Sequence, residues 1–592
     1  MEQKVGKSHY IWTLIKYKPF LYMCTTLLNL LIGVMPLIEG MIIKEFFDII
    51  GGKDSFIFNP YELIGLIAIL AIVHVLLIRI YFRKSSLHNF YISTLLRGNM
   101  LRSILKKHGA KSINSSIGEA INSFRDDVSQ IETSIFWLST LIGQIISASV
   151  AVIILLFINV KITLLIFVPL VVIIRLAQKS EKNIEEHREK EREATGAVNG
   201  AVGEIFESIL AIKVSGSKKE LMNNLKPLNE KRHKEMIKDS MLSQIIDSIY
   251  SNVINIGTGV ILLLGAGAIS KGSFTVGDFS VFVYYLVFIT DAVESLGNFI
   301  VYFKQTKVGH RNILNQIGME EGSEDLVKHK CFYLDKGNKE DIYKEKEFEK
   351  LELGKELKIL EVKGVTYLYD KSRNGIKDIN FSLKKGEILV ISGRTGSGKS
   401  TLLKALIGLL PKSEGKIYWN GEVVENEKEF FVPPISAYTP QVPNLFSDTL
   451  KNNILLGLSE KDIDLGKAIG SSVFEKDLKE LDNGFDTEIG AKATKLSGGQ
   501  IQRVAAARMF VRNPQLLVFD DVSSALDVDT ESLLWSRLFN NKVSCIIVSN
   551  KRVVLEKADK VIVLKDGVVE SNGTLKEVLD MSGELEEIFK EA

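Results

Sequence analysis

The stretch that decides the fold reads Gly393-Arg-Thr-Gly-Ser-Gly-Lys-Ser-Thr401. It follows the apolar run Ile388–Ser392, which is typical of a buried strand, and it precedes a helical pattern at Leu402–Leu410. Glycines let backbone N–H groups close around phosphate oxygens, and the N-terminus of the following helix adds partial positive charge. Because the motif stands in the strand–loop–helix context that it requires, the sequence predicts a nucleotide site. The loop residues assigned to this site are Gly393, Arg394, Thr395, Gly396, Ser397, Gly398, Lys399, Ser400 and Thr401.

Magnesium is expected beside the nucleotide. Lys399 can neutralise phosphate charge, and the Ser400 hydroxyl can ligate Mg²⁺. A second apolar run, Leu516-Leu-Val-Phe-Asp520, ends in a carboxylate that would hold the same Mg²⁺ shell. By itself, a strand that ends in an acidic residue is only weak support for a Mg²⁺ site. Downstream of a phosphate loop it predicts a combined ATP and Mg²⁺ site.

Composition places this site in a chain of two chemically different parts. The 592 residues include 74 Lys and Arg against 72 Asp and Glu, a net charge of +2. This balance excludes a strongly basic nucleic-acid-binding protein, so no nucleic-acid partner is predicted. The chain is 46% hydrophobic and yet 25% charged, so an apolar part and a polar part must be segregated.

The apolar part is predicted to cross a membrane six times. A helix needs about 20 apolar residues to span a bilayer. The sequence predicts a helical membrane domain over residues 1–315, a linker over 316–357 and an α/β domain over 358–592. The six predicted spans cover residues 19–43, 62–84, 133–158, 162–180, 244–270 and 278–304.

Orientation follows from the connections between spans. Spans two and three, and spans four and five, are joined by long polar segments rich in Lys, Arg and Glu. Since basic residues favour the cytoplasmic side, these segments, the N-terminus and the α/β domain are predicted to be cytoplasmic. Each long segment is expected to run as a helix out of the bilayer, a turn, and a helix back.

Polar residues inside the spans are candidates for a substrate cavity, because charges at membrane depth usually face water or a partner. Two alternatives stay open: Glu39 and Glu294 lie near helix ends and can reach solvent, and His74 fits a packed, hydrogen-bonded residue. The cavity candidates are Glu39, His74, Gln144, Asp291 and Glu294.

Leu496-Ser-Gly-Gly-Gln500 is by itself compatible with one more turn and helix cap. Combined with the phosphate loop, the downstream Gln502-Arg503 and the six predicted spans, it resembles the signature of ATP-binding cassette (ABC) transporters of the exporter type. The resemblance covers nearly the whole chain. It implies six transmembrane helices with long cytoplasmic extensions, an α/β P-loop nucleotide-binding domain, ATP and Mg²⁺ as cofactors, and an ATP-hydrolysing translocase that works as a dimer of half-transporters.

The family resemblance also assigns roles to individual residues. Each ATP of the dimer lies between the phosphate loop of one chain and the signature of the other, and a further loop communicates across the dimer. Tyr369 resembles the aromatic residue that stacks on adenine, and Gln441 resembles the glutamine that touches Mg²⁺ beside Ser400 and Asp520. The segment 118–128 resembles the first cytoplasmic coupling region. The signature residues are Leu496, Ser497, Gly498, Gly499 and Gln500, and the communicating loop is Ser524, Ala525, Leu526 and Asp527.

Two positions depart from the family pattern in the catalytic set Asp521, Asn550 and Gln441. Asp521 stands where the family usually has the Glu that polarises the attacking water, and its carboxylate is withdrawn by about 1.5 Å, one C–C bond. A displacement of about 1 Å can cost on the order of a hundredfold in rate. Asn550 stands where the family has His, and an amide cannot take up a proton. ATP binding should therefore survive while hydrolysis is impaired.

The pattern resembles the subunit of a heterodimeric exporter that carries the degenerate ATP site and lends an intact signature to its partner. A homodimeric exporter with slow ATPase, and an ATP-gated regulatory or channel protein with little turnover, remain alternatives. The exported substrate, whether drug, peptide or lipid, is not specified by the sequence. The Lys- and Ile-rich composition and the half-transporter layout favour a bacterial inner membrane.

Overall fold

The chain forms two compact units. One contains Met1–Leu101 with Ser115–Gly337, and the other contains Arg102–Asn114 with Asn338–Ala592. A computed structural model describes residues 9–52, 58–109, 117–165, 186, 190–191, 193–206, 208–270, 273–318, 326–328, 356–369, 374–460, 463–490, 495–523, 525–540 and 543–591.

The first unit consists of helices and short connections, with no strand among its described residues. Pro19 occupies the first turn of the first long helix, where its missing N–H costs no hydrogen bond, and Gly51 follows the end of that helix. Apolar stretches form the membrane-spanning parts of the long helices, and polar segments extend α3 and α7 beyond them. The helices are α1 (His9–Tyr17), α2 (Pro19–Ile50), α3 (Pro60–Leu105), α4 (Ile117–Asn122) with a π-helical turn at Ser123–Asp127, α5 (Val128–Ile158), α6 (Ile209–Ser215), α7 (Lys218–Ile269) and α8 (Val276–Gln316).

Four helices in the described residues are long and apolar enough to cross a membrane: Pro19–Ile50, Pro60–Leu105, Gly118–Ile158 and Val276–Gln316. They contain the predicted spans one, two, three and six. Predicted span five lies in α7, whose apolar part is the shorter Gly257–Ile269. Predicted span four, residues 162–180, lies mostly outside the described residues, so the total of six stays a prediction.

Helices α2 and α8 are joined by ion pairs and a hydrogen bond at the C-terminal end of α2 and the N-terminal end of α8. The Lys44 ammonium lies 2.9 Å from the Asp48 carboxylate and 2.8 Å from that of Asp278. Asp278 also forms a capping box with Thr275 at the start of α8. The backbone N–H of Gly277 donates to Asp48 at 3.2 Å. One ammonium and two carboxylates thus find partners where isolated charges would be costly.

The second unit is an α/β domain with two sheets. The four-stranded sheet is antiparallel with order β2-β1-β4-β5, and the six-stranded sheet has order β10-β9-β3-β8-β7-β6, with β9, β3, β8, β7 and β6 parallel. The strands are β1 (Ile359–Leu368), β2 (Gly375–Lys384), β3 (Ile388–Ser392), β4 (Glu414–Trp419), β5 (Glu422–Val423), β6 (Ser436–Thr439), β7 (Leu516–Asp520), β8 (Ser544–Val548), β9 (Lys560–Lys565) and β10 (Val568–Gly573).

Strands β3, β7 and β8 are buried at every residue, as expected for parallel strands covered on both faces. Their continuous apolar sequences explain why they occupy the centre of the sheet. The helices are α9 (Lys399–Leu406), α10 (Glu427–Phe430), α11 (Leu450–Leu455), α12 (Leu465–Ser471), α13 (Glu475–Glu480), α14 (Gly498–Phe510), α15 (Val528–Phe539), α16 (Arg552–Leu555), α17 (Leu575–Met581) and α18 (Gly583–Glu591).

The second unit includes a short segment from the N-terminal half of the chain. His108 Nδ1 hydrogen-bonds to the Gly408 carbonyl oxygen at 2.7 Å, and Lys428 Nζ donates to the Lys106 carbonyl oxygen at 2.9 Å. The sequence places residues 102–114 in the membrane domain and expects coupling contacts at 118–128. The structure groups 102–114 with the α/β domain and 118–128 with the membrane unit, and the domain bounds and the coupling region stay predictions.

Gly277 is required by the packing of α8 on α2. A Cβ atom at this position would collide with the Lys44 carbonyl oxygen and the Asp48 carboxylate. We expect Gly277→Ala to lower the free energy of unfolding of the detergent-solubilised protein by about 1–3 kcal/mol, the usual cost of overpacking. Gly297→Ala, in the same helix but with open space around it, is the matched control and should be neutral or slightly stabilising. Equal thermal denaturation midpoints for the two variants would contradict this packing.

Candidate functional site

The site is built at one edge of the six-stranded sheet. Strands β3, β8 and β7 are parallel neighbours, with Ile391 paired to Val548 and Asp520 paired to Val548. Their carboxyl ends therefore lie side by side, and the loops that leave them converge. These loops carry Gly393 after β3, Asp521 after β7 and Asn550 after β8.

The phosphate loop takes a shape that its glycines allow. Gly393 and Gly398 have φ angles of 140° and 103°, and a Cβ atom on Gly393 would collide with the Leu564 carbonyl oxygen. Lys399 Nζ donates to the carbonyl oxygens of Gly393 at 2.5 Å and Arg394 at 2.8 Å. The Ser397 hydroxyl is buried and has no hydrogen-bond partner in the described chain. An unpartnered hydroxyl beside free N–H groups of a helix start is suited to phosphate oxygens.

The residues beside the loop fit a magnesium ion. Ser400 Oγ donates to Asp520 Oδ1 at 2.8 Å, and Tyr438 donates to Asp520 Oδ2 at 3.2 Å. Gln441 Nε2 donates to Asp521 Oδ2 at 3.2 Å, which leaves Gln441 Oε1 available as a ligand. Magnesium is usually held by one or two carboxylates together with nucleotide phosphates. A hydroxyl, a carboxylate and an amide oxygen meet that requirement here.

Asp521 sits in a strained and partly buried position. Its φ angle is 49°, and its N–H is held by the Val548 carbonyl oxygen at 3.1 Å. Burial raises the pKa of its carboxyl, against the opposing effects of the Gln441 hydrogen bond and of Lys551 and Lys399. Burial also lowers the pKa of Lys399, again opposed by the neighbouring carboxylates. The charge on Asp521 therefore favours the charged form of Lys399, and the charge on Lys399 favours the charged form of Asp521.

The side-chain amide of Asn550 hydrogen-bonds to the residues at the base of the phosphate loop. Its Oδ1 accepts hydrogen bonds from Ser392 Oγ at 2.9 Å and from the Gly393 N–H at 3.3 Å. Its Nδ2 donates to the Gly393 carbonyl oxygen at 3.2 Å. The amide oxygen and the amide nitrogen of Asn550 thus both stabilise the junction between β3 and the phosphate loop.

Tyr369 stands beside the helix that follows the phosphate loop. Its side chain is 40% exposed, its hydroxyl lies 3.4 Å from Thr401 Oγ1, and its ring meets that of Tyr367 edge-on. The exposed face is free to stack on a planar base.

The segment Leu496–Gln500 forms a capped helix start. Ser497 and Gln500 make a reciprocal capping box at the N-terminus of α14, and Gln500 Nε2 also donates to Asp477 at 2.9 Å. A Cβ atom on Gly499 would lie 2.8 Å from the Ala525 carbonyl oxygen. The predicted signature therefore packs on the predicted communicating loop. Asp527 caps α15, whereas Ser524 lies outside the described residues.

Two family models match this chain. The model described as "ABC transporter" matches residues 376–524, which contain the loop and the capped helix start. The model described as "ABC transporter transmembrane region" matches residues 22–293. The chain belongs to the ABC transporter family.

Relatives extend this assignment. A probable multidrug resistance ABC transporter ATP-binding/permease protein of Bacillus subtilis is 28% identical over 431 residues, 72% of this chain and 69% of the relative. A putative multidrug export ATP-binding/permease protein of Staphylococcus aureus is 26% identical over 489 residues, 80% of each. A solved bacterial Atm1-family ABC exporter with ATP bound superposes with a TM-score of 0.78 at 19% identity, covering 96% of this chain and 98% of that one. The chain thus has the exporter fold and is an ATP-hydrolysing membrane transporter; ABC exporters work as dimers.

Two carboxylates of this ABC transporter were not found from sequence. The Arg394 N–H donates to Glu584 at 3.1 Å, and the Arg394 guanidinium pairs with Glu587. Glu584 also favours the charged form of Lys399. The one available signal was the three-residue spacing of the two acids on α18, which places them on one helix face. No sequence motif indicates that this face of α18 contacts the phosphate loop, which lies about 190 residues earlier in the chain.

The cavity candidates are spread over four helices of the transmembrane region. Tyr284 donates its hydroxyl to Glu39 at 3.1 Å, which links α2 to α8. Gln144 is half-buried, and its Oε1 has no partner in the described part of the chain. His74 is half-buried, while Asp291 and Glu294 are exposed. Their role in a cavity remains a prediction.

Stacking on Tyr369 can be tested directly. We expect Tyr369→Ala to weaken ATP binding about 5- to 150-fold, because base–aromatic stacking contributes about 1–3 kcal/mol. Tyr369→Phe keeps the ring and loses only the long contact to Thr401, so it should bind within about twofold of the wild type. Isothermal titration with Mg-ATP measures both. Equal losses in the two variants would assign the effect to the hydroxyl and contradict stacking.

Proposed function

We propose that this chain is one half of a heterodimeric ABC exporter, binds ATP tightly at its own phosphate loop, and hydrolyses it slowly. Its intact signature completes the fast site of a partner half-transporter. The protein would lie in a bacterial inner membrane with its N-terminus and nucleotide-binding domain cytoplasmic. Because one relative is named for multidrug resistance and another for multidrug export, hydrophobic drug-like molecules are the first cargo to test.

The observation that carries this proposal is the state of Asp521 and Asn550. Asp521 is one methylene shorter than glutamate and is fixed by Val548 and Gln441, so its carboxylate cannot advance toward the γ-phosphate without breaking these contacts. Asn550 uses both its amide oxygen and its amide nitrogen on the loop base, and an amide cannot take up a proton as a histidine does. Both Asp521 and Asn550 are therefore expected to activate the attacking water less well than the residues that the family usually has at these positions.

The binding half of the site supports ATP retention. Lys399 already lies across the loop, and the contact of Ser400 with Asp520 holds two Mg²⁺ ligands together before the ion arrives. Preorganised groups lose little entropy on binding. Once bound, Mg²⁺ would bridge phosphate oxygens and neutralise their charge.

The signature supports the contribution to a partner site. Ser497, Gly498 and Gly499 form the start of a helix of 13 residues, with exposed or half-exposed backbone. Asp477 fixes this helix start by accepting from Gln500 and pairing with Arg503 at 3.0 Å. A rigid helix N-terminus suits the γ-phosphate of an ATP held by a second chain.

Coupling to transport would begin at the far end of the phosphate-loop helix. Gly408 follows the end of α9, and His108 hydrogen-bonds to it. A Cβ atom on Gly109 would lie 2.9 Å from the Leu409 side chain. A shift of α9 on ATP binding would therefore move residues 106–109, and alternating access would follow as a rigid-body change.

Restoring the family residues tests the proposal. We expect the purified wild-type chain to show very slow Mg-ATP turnover, and Asp521→Glu/Asn550→His to raise it at least tenfold, since about 1 Å of misplacement costs on the order of a hundredfold. Asp521→Asn/Asn550→His is the matched control, which restores the imidazole without a carboxylate and should stay slow.

Two results would contradict this assignment. Fast turnover by the wild-type chain alone, little changed by the substitutions, would favour a homodimeric exporter. Rescued turnover without ATP-dependent flux of any cargo class, in vesicles containing the chain and its co-purified partner, would favour an ATP-gated regulatory protein.

A further inference from the structure

The membrane unit contains an apolar cavity of about 510 Å³ that the transport scheme does not use. It lies between α1, α5 and α8. Ser134 also lines it, but its hydroxyl donates to the Ile131 carbonyl oxygen at 2.8 Å, so it offers the cavity no unpaired donor. The apolar lining consists of Ile11, Trp12, Ile15, Leu138, Phe299 and Phe303. A cavity of this size and lining suits a hydrocarbon ligand.

The cavity lies where the first and last membrane helices leave the apolar zone. Helix α1 ends immediately before α2, the first membrane-spanning helix. The rings of Tyr10 and His310 lie 3.9 Å apart at a tilt of 30° and hold α1 against the polar end of α8. Trp12 is 55% exposed at the rim, and tryptophan is enriched at the membrane–water boundary. The cavity is therefore within reach of lipids at headgroup depth.

Positive charge stands beside this cavity. The Lys307 ammonium lies over the ring of Phe303, 5.0 Å from its centroid, so a cavity-lining side chain carries a cation on its face. Lys16 and Lys304 lie next in sequence to the lining residues Ile15 and Phe303. Residues 9–18 and 299–316 contain no Asp or Glu. Basic pockets between membrane helices are the kind of site that binds anionic headgroups.

We propose that this cavity binds one acyl chain of an anionic phospholipid, with the headgroup beside Lys307. The apolar lining accounts for the acyl chain, the cation for the headgroup, and the position for access from the bilayer. A neutral or cationic cargo molecule would fit the lining but would gain nothing from the positive charge of Lys307. Occupancy would brace α1 against α8, the helix that continues from the membrane toward the linker.

Native mass spectrometry of the purified full-length chain tests this, using titration with dioleoyl-phosphatidylglycerol and dioleoyl-phosphatidylcholine. We expect one phosphatidylglycerol per chain, bound at least fivefold more tightly than phosphatidylcholine. Lys307→Gln should lower phosphatidylglycerol affinity about fivefold and leave phosphatidylcholine unchanged, because one cation near an anionic headgroup contributes on that scale. Lys226→Gln, an exposed lysine on α7, is the control and should behave as wild type.

A second pair of variants separates the cavity from the surface charge. Leu138→Trp fills the cavity and should lower the affinity for both lipids about tenfold, while Leu76→Trp, on the exposed face of α3, should not. If Leu138→Trp does not fold, Phe303→Leu replaces it as the test variant. Phe303→Leu removes the ring below Lys307 and should lower the affinity for phosphatidylglycerol. Equal binding of the two lipids by wild type, or wild-type binding by Leu138→Trp, would overturn the proposal. Displacement of phosphatidylglycerol by neutral hydrophobic compounds that bind more tightly would make this a cargo site and overturn it as well.

Discussion

The parallel pairing of β3, β8 and β7 is the constraint on which the rest of the site depends. It brings the ends of three buried strands to one edge, so that Gly393, Asn550 and Asp521 meet although they lie far apart in sequence. The same edge sets the Ser400–Asp520 contact. Because the strands are fully buried, their positions are rigid, and we propose that the functional differences of this chain come from side chains at their ends.

In the proposed function, these side chains separate ATP binding from ATP hydrolysis. The groups that would hold phosphate and Mg²⁺ are preorganised, whereas the two groups that would activate water are shortened or neutral. Asp521 is further committed to Gln441, and Asn550 to the loop base. A site of this kind favours retention of ATP, which would keep one half of a dimer closed while the other half turns over. The capped signature helix is the part of the chain that a partner site would need.

Local chemistry made the phosphate loop, the strand ending in Asp520 and four membrane helices predictable from sequence, because glycine spacing and apolar runs act over short distances. The contacts of Asn550 with Ser392 and Gly393 were not predictable, since they depend on the orientation of an amide in the folded sheet. The pairing of Arg394 with α18 and the grouping of 102–109 with the nucleotide-binding domain involve residues hundreds of positions apart and carry no motif. The assigned site roles stay predictions.

The central claim is that this chain holds ATP and cleaves it only slowly, and a single-turnover experiment tests it most directly. Wild-type chain in excess over γ-labelled Mg-ATP is quenched at intervals, and the bound nucleotide is identified, with Lys399→Ala as the non-binding reference. Ordinary enzymes turn over at about 1 s⁻¹ or faster. The account predicts that intact ATP remains on the wild-type protein for minutes. Bound ADP and released phosphate within a few seconds would contradict it.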